Sequence, residues 1–146
     1  MTAKDKKLTT IEKMIRLKSV DIFEQATVEQ LARIAGLTEE AYLETGETIY
    51  QEGQPTDALY FLLSGRIRLE KNGIPVFDIK DGETFGTLAA LDLQPHLYTA
   101  KTAGPVHIFK LGVRDFHDLL SLDSGLVLAV LRALCRLIRA GRFAMS

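Results

Sequence analysis

The chain changes its hydrophobic period twice. From Thr9 to about Gly36, apolar residues recur at helical offsets. Thr9 or Thr10 can cap a helix whose Ile11, Met14, Ile15 and Leu17 form one face. Glu12 falls in its first turn, where a negative charge suits the helix dipole. Asp21-Ile22-Phe23 breaks the pattern. Thr27 then caps a second helix, with Val28, Leu31, Ile34 and Ala35 inward and Gly36 as its stop.

Across 37–111 the period shortens. Stretches of strand-forming residues alternate with glycines at 46, 53, 65, 73, 82, 86 and 104. The predicted strands are 41–44, 48–50, 58–63, 66–71, 74–79, 98–102 and 106–111. Turn signals at this spacing point to an antiparallel sandwich or barrel rather than a parallel sheet. Asn72-Gly73 between two strand-like runs is the strongest local hairpin signal in the chain.

Helical periodicity returns at 113–140. A short helix at 113–120 precedes a long one that Ser124 can cap and that runs to about Arg139. The long helix is apolar around much of its circumference, which predicts burial. Arg132, Arg136, Arg139 and Arg142 recur every three or four residues and share a face, read as solvated or, alternatively, as a docking surface for an acidic partner.

Composition adds limits. With 146 residues, 47% of them hydrophobic, the chain reads as one domain, 1–146, able to bury a core without metals or disulfides. Its net charge of -1 supplies no bulk attraction to nucleic acid or acidic lipid. The longest wholly apolar run, Leu126 to Leu131, is far short of the roughly 20 residues that span a bilayer. The polar start carries no secretory h-region, and the lone Cys135 fits a reducing compartment. The expectation is a cytoplasmic chain, with neither nucleic acid nor membrane insertion.

Catalytic chemistry has little to stand on. His96, His107 and His117 form no zinc-type pair, no CxxC exists, and the histidine and carboxylate spacing of a cupin metal site is missing. Ser64 and Ser121 have no neighbouring base in the sequence, and Cys135 reads as a core residue. The chain is expected not to be an enzyme, and to hold no metal or resident cofactor.

The informative motif is a ladder of glycines and partners: Gly46-Glu47 to Gly53, Asp57-Ala58-Leu59-Tyr60, Ser64-Gly65-Arg66, then Asp81-Gly82-Glu83-Thr84-Phe85-Gly86. With Leu17 to Phe23 ahead of it, this ladder resembles the cyclic nucleotide-binding domain family, which includes catabolite activators and kinase regulatory domains. The resemblance covers about 9–139. It implies a mainly β fold: an antiparallel β-roll of eight strands in a jelly-roll barrel, with N-terminal helices (9–36) and a C-terminal helical pair (113–140). No DNA-binding helix-turn-helix follows within this sequence.

The resemblance also implies a phosphate-binding cassette at 85–99. In the family a short helix aims backbone N–H groups at a cyclic phosphate, an arginine forks the phosphate, and a glutamate accepts from the ribose hydroxyl. The tentative pocket residues are Phe85, Gly86, Thr87, Leu88, Ala89, His96, Leu97 and Tyr98. Thr87 stands where the glutamate belongs, His96 where the arginine belongs, and Leu97 and Tyr98 replace small residues. An arginine–phosphate contact contributes on the order of 1.5–3 kcal/mol, and a buried unpaired ribose hydroxyl costs roughly 1–3 kcal/mol. Together these losses weaken binding a hundredfold or more.

Two readings follow. In one, the domain is a regulatory module that does not take cAMP or cGMP in the usual way and acts through protein interaction or dimerisation, with Leu97 and Tyr98 filling the pocket. In the other, a cyclic nucleotide or another small anionic ligand binds through altered contacts. The family's C-terminal helix often forms a dimer seam. A homodimer or partner-protein contact is therefore expected along Val127, Leu131, Leu134 and Ile138.

Overall fold

The computed structural model describes residues 7–142; residues 1–6 and 143–146, which the sequence places in the same domain, lie outside them. Helix α1 (Thr10–Lys18) is capped by Thr9, whose hydroxyl accepts from Glu12 N–H while the Glu12 carboxylate accepts from Thr9 N–H. A single 3₁₀ turn, Asp21–Phe23, buries Ile22 and Phe23. Helix α2 (Val28–Leu37) has the same reciprocal cap between Thr27 and Gln30. It runs through Gly36 and continues directly into strand β1 (Thr38–Leu43), so Gly36 is not its stop.

Eight strands form two antiparallel sheets. After β1 come β2 (Thr48–Tyr50), β3 (Ala58–Ser64), β4 (Ile67–Lys71), β5 (Ile74–Ile79) and β6 (Thr84–Phe85). Helix α3 (Thr87–Asp92) leads to β7 (Thr99–Thr102) and β8 (Val106–Gly112). One sheet has the order β1-β8-β3-β6 and the other β2-β7-β4-β5. Asn72 and Gly73 both have positive φ, and Lys71 faces Ile74 across the tight β4–β5 hairpin. This is an antiparallel β-roll with flanking helices.

The register explains the continuous apolar run of β3. Ala58, Tyr60 and Leu62 face the second sheet and, with Ile108 of β8, pack against its Ile67 and Leu69. Leu59, Phe61 and Leu63 face the helices and pack with Leu17, Phe23, Ile34 and Leu126. A strand buried on both faces loses the polar–apolar alternation of a half-exposed one.

Helices α4 (Val113–Leu122) and α5 (Ser124–Arg139) close the helical side. Asp123 caps α5 by accepting from Leu126 N–H at 3.0 Å, and the same carboxylate takes Gln30 Nε2 and Arg33 from α2. It therefore sits well below the usual carboxylate range, chiefly through the Leu126 N–H. The cap is Asp123 rather than Ser124. Of the apolar faces read from the sequence, Leu17, Leu31, Ile34 and Ala35 are buried as expected, whereas Ile11, Ile15 and Val28 are exposed.

Gly65, which ends β3, has φ +112, and a Cβ there would lie 2.6 Å from Pro105 O and 2.8 Å from Val106 Cγ1. Gly65→Ala is expected to lower stability by roughly 2–4 kcal/mol, combining backbone strain with the clash. Urea unfolding at constant m-value measures it; a loss under about 0.5 kcal/mol would contradict the geometry.

Candidate functional site

The site grows out of β3. Strand β6 is only two residues long and pairs through Tyr60–Phe85 and Phe61–Thr84. Gly86 then adopts left-handed backbone, φ 74 and ψ 18, and opens α3; Leu93, also left-handed, closes it. The reversal at Gly86 suits a residue without a side chain. Across from it, His96 is pinned on both sides: Gly53 N–H donates to His96 O at 2.8 Å, and His96 N–H donates to Gln54 O at 3.0 Å.

Rings occupy the space between. His96 stacks on Tyr50 with centroids 3.7 Å apart and planes 9° from parallel. Tyr50 packs on Tyr60 at 5.7 Å, and Tyr60 stacks on Phe85 at 5.3 Å. A Cβ built on Gly86 would touch Tyr50, Tyr60 and His96 at 3.5–3.6 Å, so three rings surround this one backbone position. The space left among Tyr50, Gly86, Ala89, His96 and Tyr98 is about 10 Å³. That is room for about one water.

Leu88 and Ala89 line this remnant, as do Gly86, His96, Leu97 and Tyr98. Phe85 lies beneath it in the core between the sheets. Thr87 is also buried but belongs to a separate crevice with Asp21, Thr84, Leu137 and Arg142. Leu97 is half exposed at the rim and does not fill the pocket. Tyr98 is half buried at the edge of the inter-sheet core, with the Lys71 ammonium 6.0 Å from its ring centre. The filling comes instead from His96 against Tyr50. Tyr50 escaped the sequence reading because the contact joins the end of β2 to a loop 46 residues away.

Electrostatics keep the plug neutral. Burial pushes the Tyr50 hydroxyl up, the neighbouring Tyr60 adds to this, and a hydrogen bond from the Gly86 backbone opposes it. Tyr60 donates to Asp57 Oδ1 at 3.0 Å, and Lys110 donates to Asp57 Oδ2 at 3.3 Å. Burial alone would raise Asp57; these two donors outweigh it and hold the carboxyl below its ordinary range. Burial pushes His96 below the ordinary imidazole value, with the Asp57 carboxylate opposing. His96 Nε2 is buried without a hydrogen-bond partner among the described residues.

The cassette is tied to the helical layer. His117 Nε2–H donates to Ala90 O at 2.6 Å, joining α4 to α3. Thr84 Oγ1 donates to Asp21 Oδ1 at 2.5 Å, joining β6 to the 3₁₀ turn. Burial raises Asp21, and its bonds from Thr84 and Ile22 oppose that. At the end of α5, Arg142 pairs with Glu83 at 3.0 Å, two residues before the cassette strand ends.

Helix α5 divides the predicted contact row. Leu134 is buried in the chain's own core, so it is not available to a partner, and Val127 is half buried. Leu131 and Ile138 are exposed, as are Leu128 and Cys135, so the cysteine is a surface residue rather than a core one. Among the described residues no helix is long and apolar enough to cross a membrane. His107 is engaged elsewhere, its Nε2 2.5 Å from Glu40 Oε2 and its ring stacked on Tyr42.

A β-roll with a left-handed glycine opening a short helix opposite a pinned loop is the architecture of small regulatory domains. The cyclic nucleotide-binding domain model matches residues 40–123, and the chain belongs to that family. It is 36% identical over 106 residues to a cAMP-dependent protein kinase regulatory subunit of Aspergillus niger, a match covering 71% of this chain and 26% of that protein. The chain thus spans about a quarter of the length of that curated relative. The N-terminal domain of a transcriptional regulator from Streptomyces coelicolor superposes with a TM-score of 0.74 at 26% identity, covering 90% of this chain and 95% of that one. The regulatory subunit of a cAMP-independent protein kinase A from Trypanosoma brucei gives 0.70 at 21% identity, over 82% and 43%. These three are two kinase regulatory subunits and a domain of a transcriptional regulator.

The His96 environment sets a pH dependence. The unfolded chain takes up this proton near pH 6.5, while the folded chain resists it to a lower pH. The unfolded state then binds more protons, so this contribution to stability falls as pH drops below about 6.5. Histidine resonances followed by NMR, assigned with His96→Gln, are expected to show His96 titrating below that value. A midpoint at or above 6.5 would contradict the buried stack.

Proposed function

We propose that this chain is a regulatory cyclic nucleotide-binding-type module that does not take cAMP or cGMP in the usual way and that signals through protein contact. The observation that carries the reading is the His96–Tyr50 stack, which leaves only about 10 Å³ where a nucleotide phosphate would enter. Two further features support it. Thr87 carries no carboxylate and is buried in a separate crevice beside Asp21. No arginine occupies position 96, so a contact of about 1.5–3 kcal/mol is missing. The proposed contact face is the exposed row of α5, where a second copy or a partner protein would sit.

Calorimetry of the full chain with cAMP and with cGMP is expected to show no binding up to about 1 mM; micromolar affinity for either would overturn the reading. The variant Tyr50→Ala/His96→Arg removes the stacked plug and supplies a charged fork. It is expected to bind cAMP at least tenfold more tightly than the parent, and no gain would mean that the cassette is wrongly mapped.

A second reading rests on one observation. The partnerless His96 Nε2 faces a backbone still shaped at Gly86 for an anion, which favours a small anionic ligand held by altered contacts. Under that reading the His96 resonances shift on addition of inorganic phosphate, and they stay fixed under the first.

A further inference from the structure

Helix α5 presents a row of half-exposed or more exposed apolar side chains, Leu128, Leu131 and Ile138, with the exposed Cys135 between them. At 3.6 residues per turn these four fall on one stripe. Arg132, Arg136 and Arg139 border that stripe along a single edge. Arg136 is paired with Glu24, whereas Arg132 and Arg139 make no ion pair among the described residues. The helix TIEKMIRLK at the other end of the chain mixes charges, but α5, SGLVLAVLRALCRLIR, contains no acidic residue.

A second copy suits this face poorly. A two-fold contact sets the same patch against itself. It would bring two arginine-edged helices together with no acid on either to pair them, and like charges in an interface are unfavourable. Four partly exposed side chains also fall well short of the ~800 Å² per partner of a stable interface. The same face complements an amphipathic helix that lays an apolar stripe on Leu131 and aims acids at Arg132 and Arg139.

We infer that α5 docks an acidic amphipathic helix of a different protein, transiently and with dependence on salt. This rests on the reading that the output runs through protein contact, and it names the partner's chemistry. It does not depend on whether the cassette is empty, because peptide binding can be measured with and without cAMP.

The test uses the full chain and two synthetic helical peptides with the same leucine stripe, one edged with glutamates and one with lysines. Fluorescence polarisation is expected to give the glutamate peptide at least tenfold higher affinity than the lysine peptide, falling as salt rises. Arg132→Glu/Arg139→Glu should reverse that preference, and Leu131→Asp should remove binding of both. These positions are exposed, and a reversal of preference is a gain that misfolding cannot mimic. Bound glutamate peptide should also slow alkylation of Cys135 at least fivefold. Equal affinity for the two peptides, or binding of neither, overturns the inference. So does a homodimer seen by light scattering that Leu131→Asp abolishes.

Discussion

Strand β3 is a wall shared by two cores. Its odd-numbered side chains Leu59, Phe61 and Leu63 are the floor for the helices, and its even-numbered Ala58, Tyr60 and Leu62 are the ceiling of the inter-sheet core. With water removed from both faces, its backbone groups depend on neighbouring strands, and β8 and β6 supply them. The turn before the cassette hangs from it as well: Gly82 N–H donates to Leu62 O, and Leu62 N–H donates to Glu83 O. Position, twist and burial of the cassette therefore follow from where β3 lies.

That dependence explains how the turn at Gly86 forms from the fold alone. Phe85 is fixed by pairing with Tyr60, and Gly86 turns because the chain must leave the sheet there. Neither needs a ligand. Once the fold holds the turn open, the space beside it must be filled by solvent, ligand or protein. Here the Tyr50 and His96 rings fill it, each held by elements with other reasons to be where they are. Burying two stacked rings removes apolar surface from water, and the unpaired His96 Nε2 is the polar penalty that partly offsets this gain.

Much of the fold was legible because its signals are local. The Thr9 and Thr27 caps, the Asn72-Gly73 hairpin and the alternation of strands with glycine corners depend on neighbours in sequence. Strand β6 was not legible, since two residues carry no period. Ile11, Ile15 and Val28 misled because a short amphipathic helix at the margin of a small domain leaves some of its apolar face uncovered. On α5 the difficulty was opposite. Apolar residues surround most of the helix, so the pattern could not say which stripe faces the core, and Leu134 was grouped with Leu131 although only Leu131 is exposed. Within the candidate site, the turn at Gly86 was legible, since a glycine between a strand and a helix is a local signal. The direction of Thr87 and the partner of His96 were not, because both are set by distant segments.

The bond from His117 to Ala90 O gives the domain a mechanical layout. One imidazole couples the cassette helix to α4, and α4 passes through the single residue Asp123 into α5. Helix α3 is thus joined through α4 to α5 by a path that turns at Asp123, which Gln30 and Arg33 from α2 brace. The far end of α5 is tied back to the cassette side as well: Leu137 packs in the core, and Arg142, just past the helix, pairs with Glu83, so the two ends of the path meet.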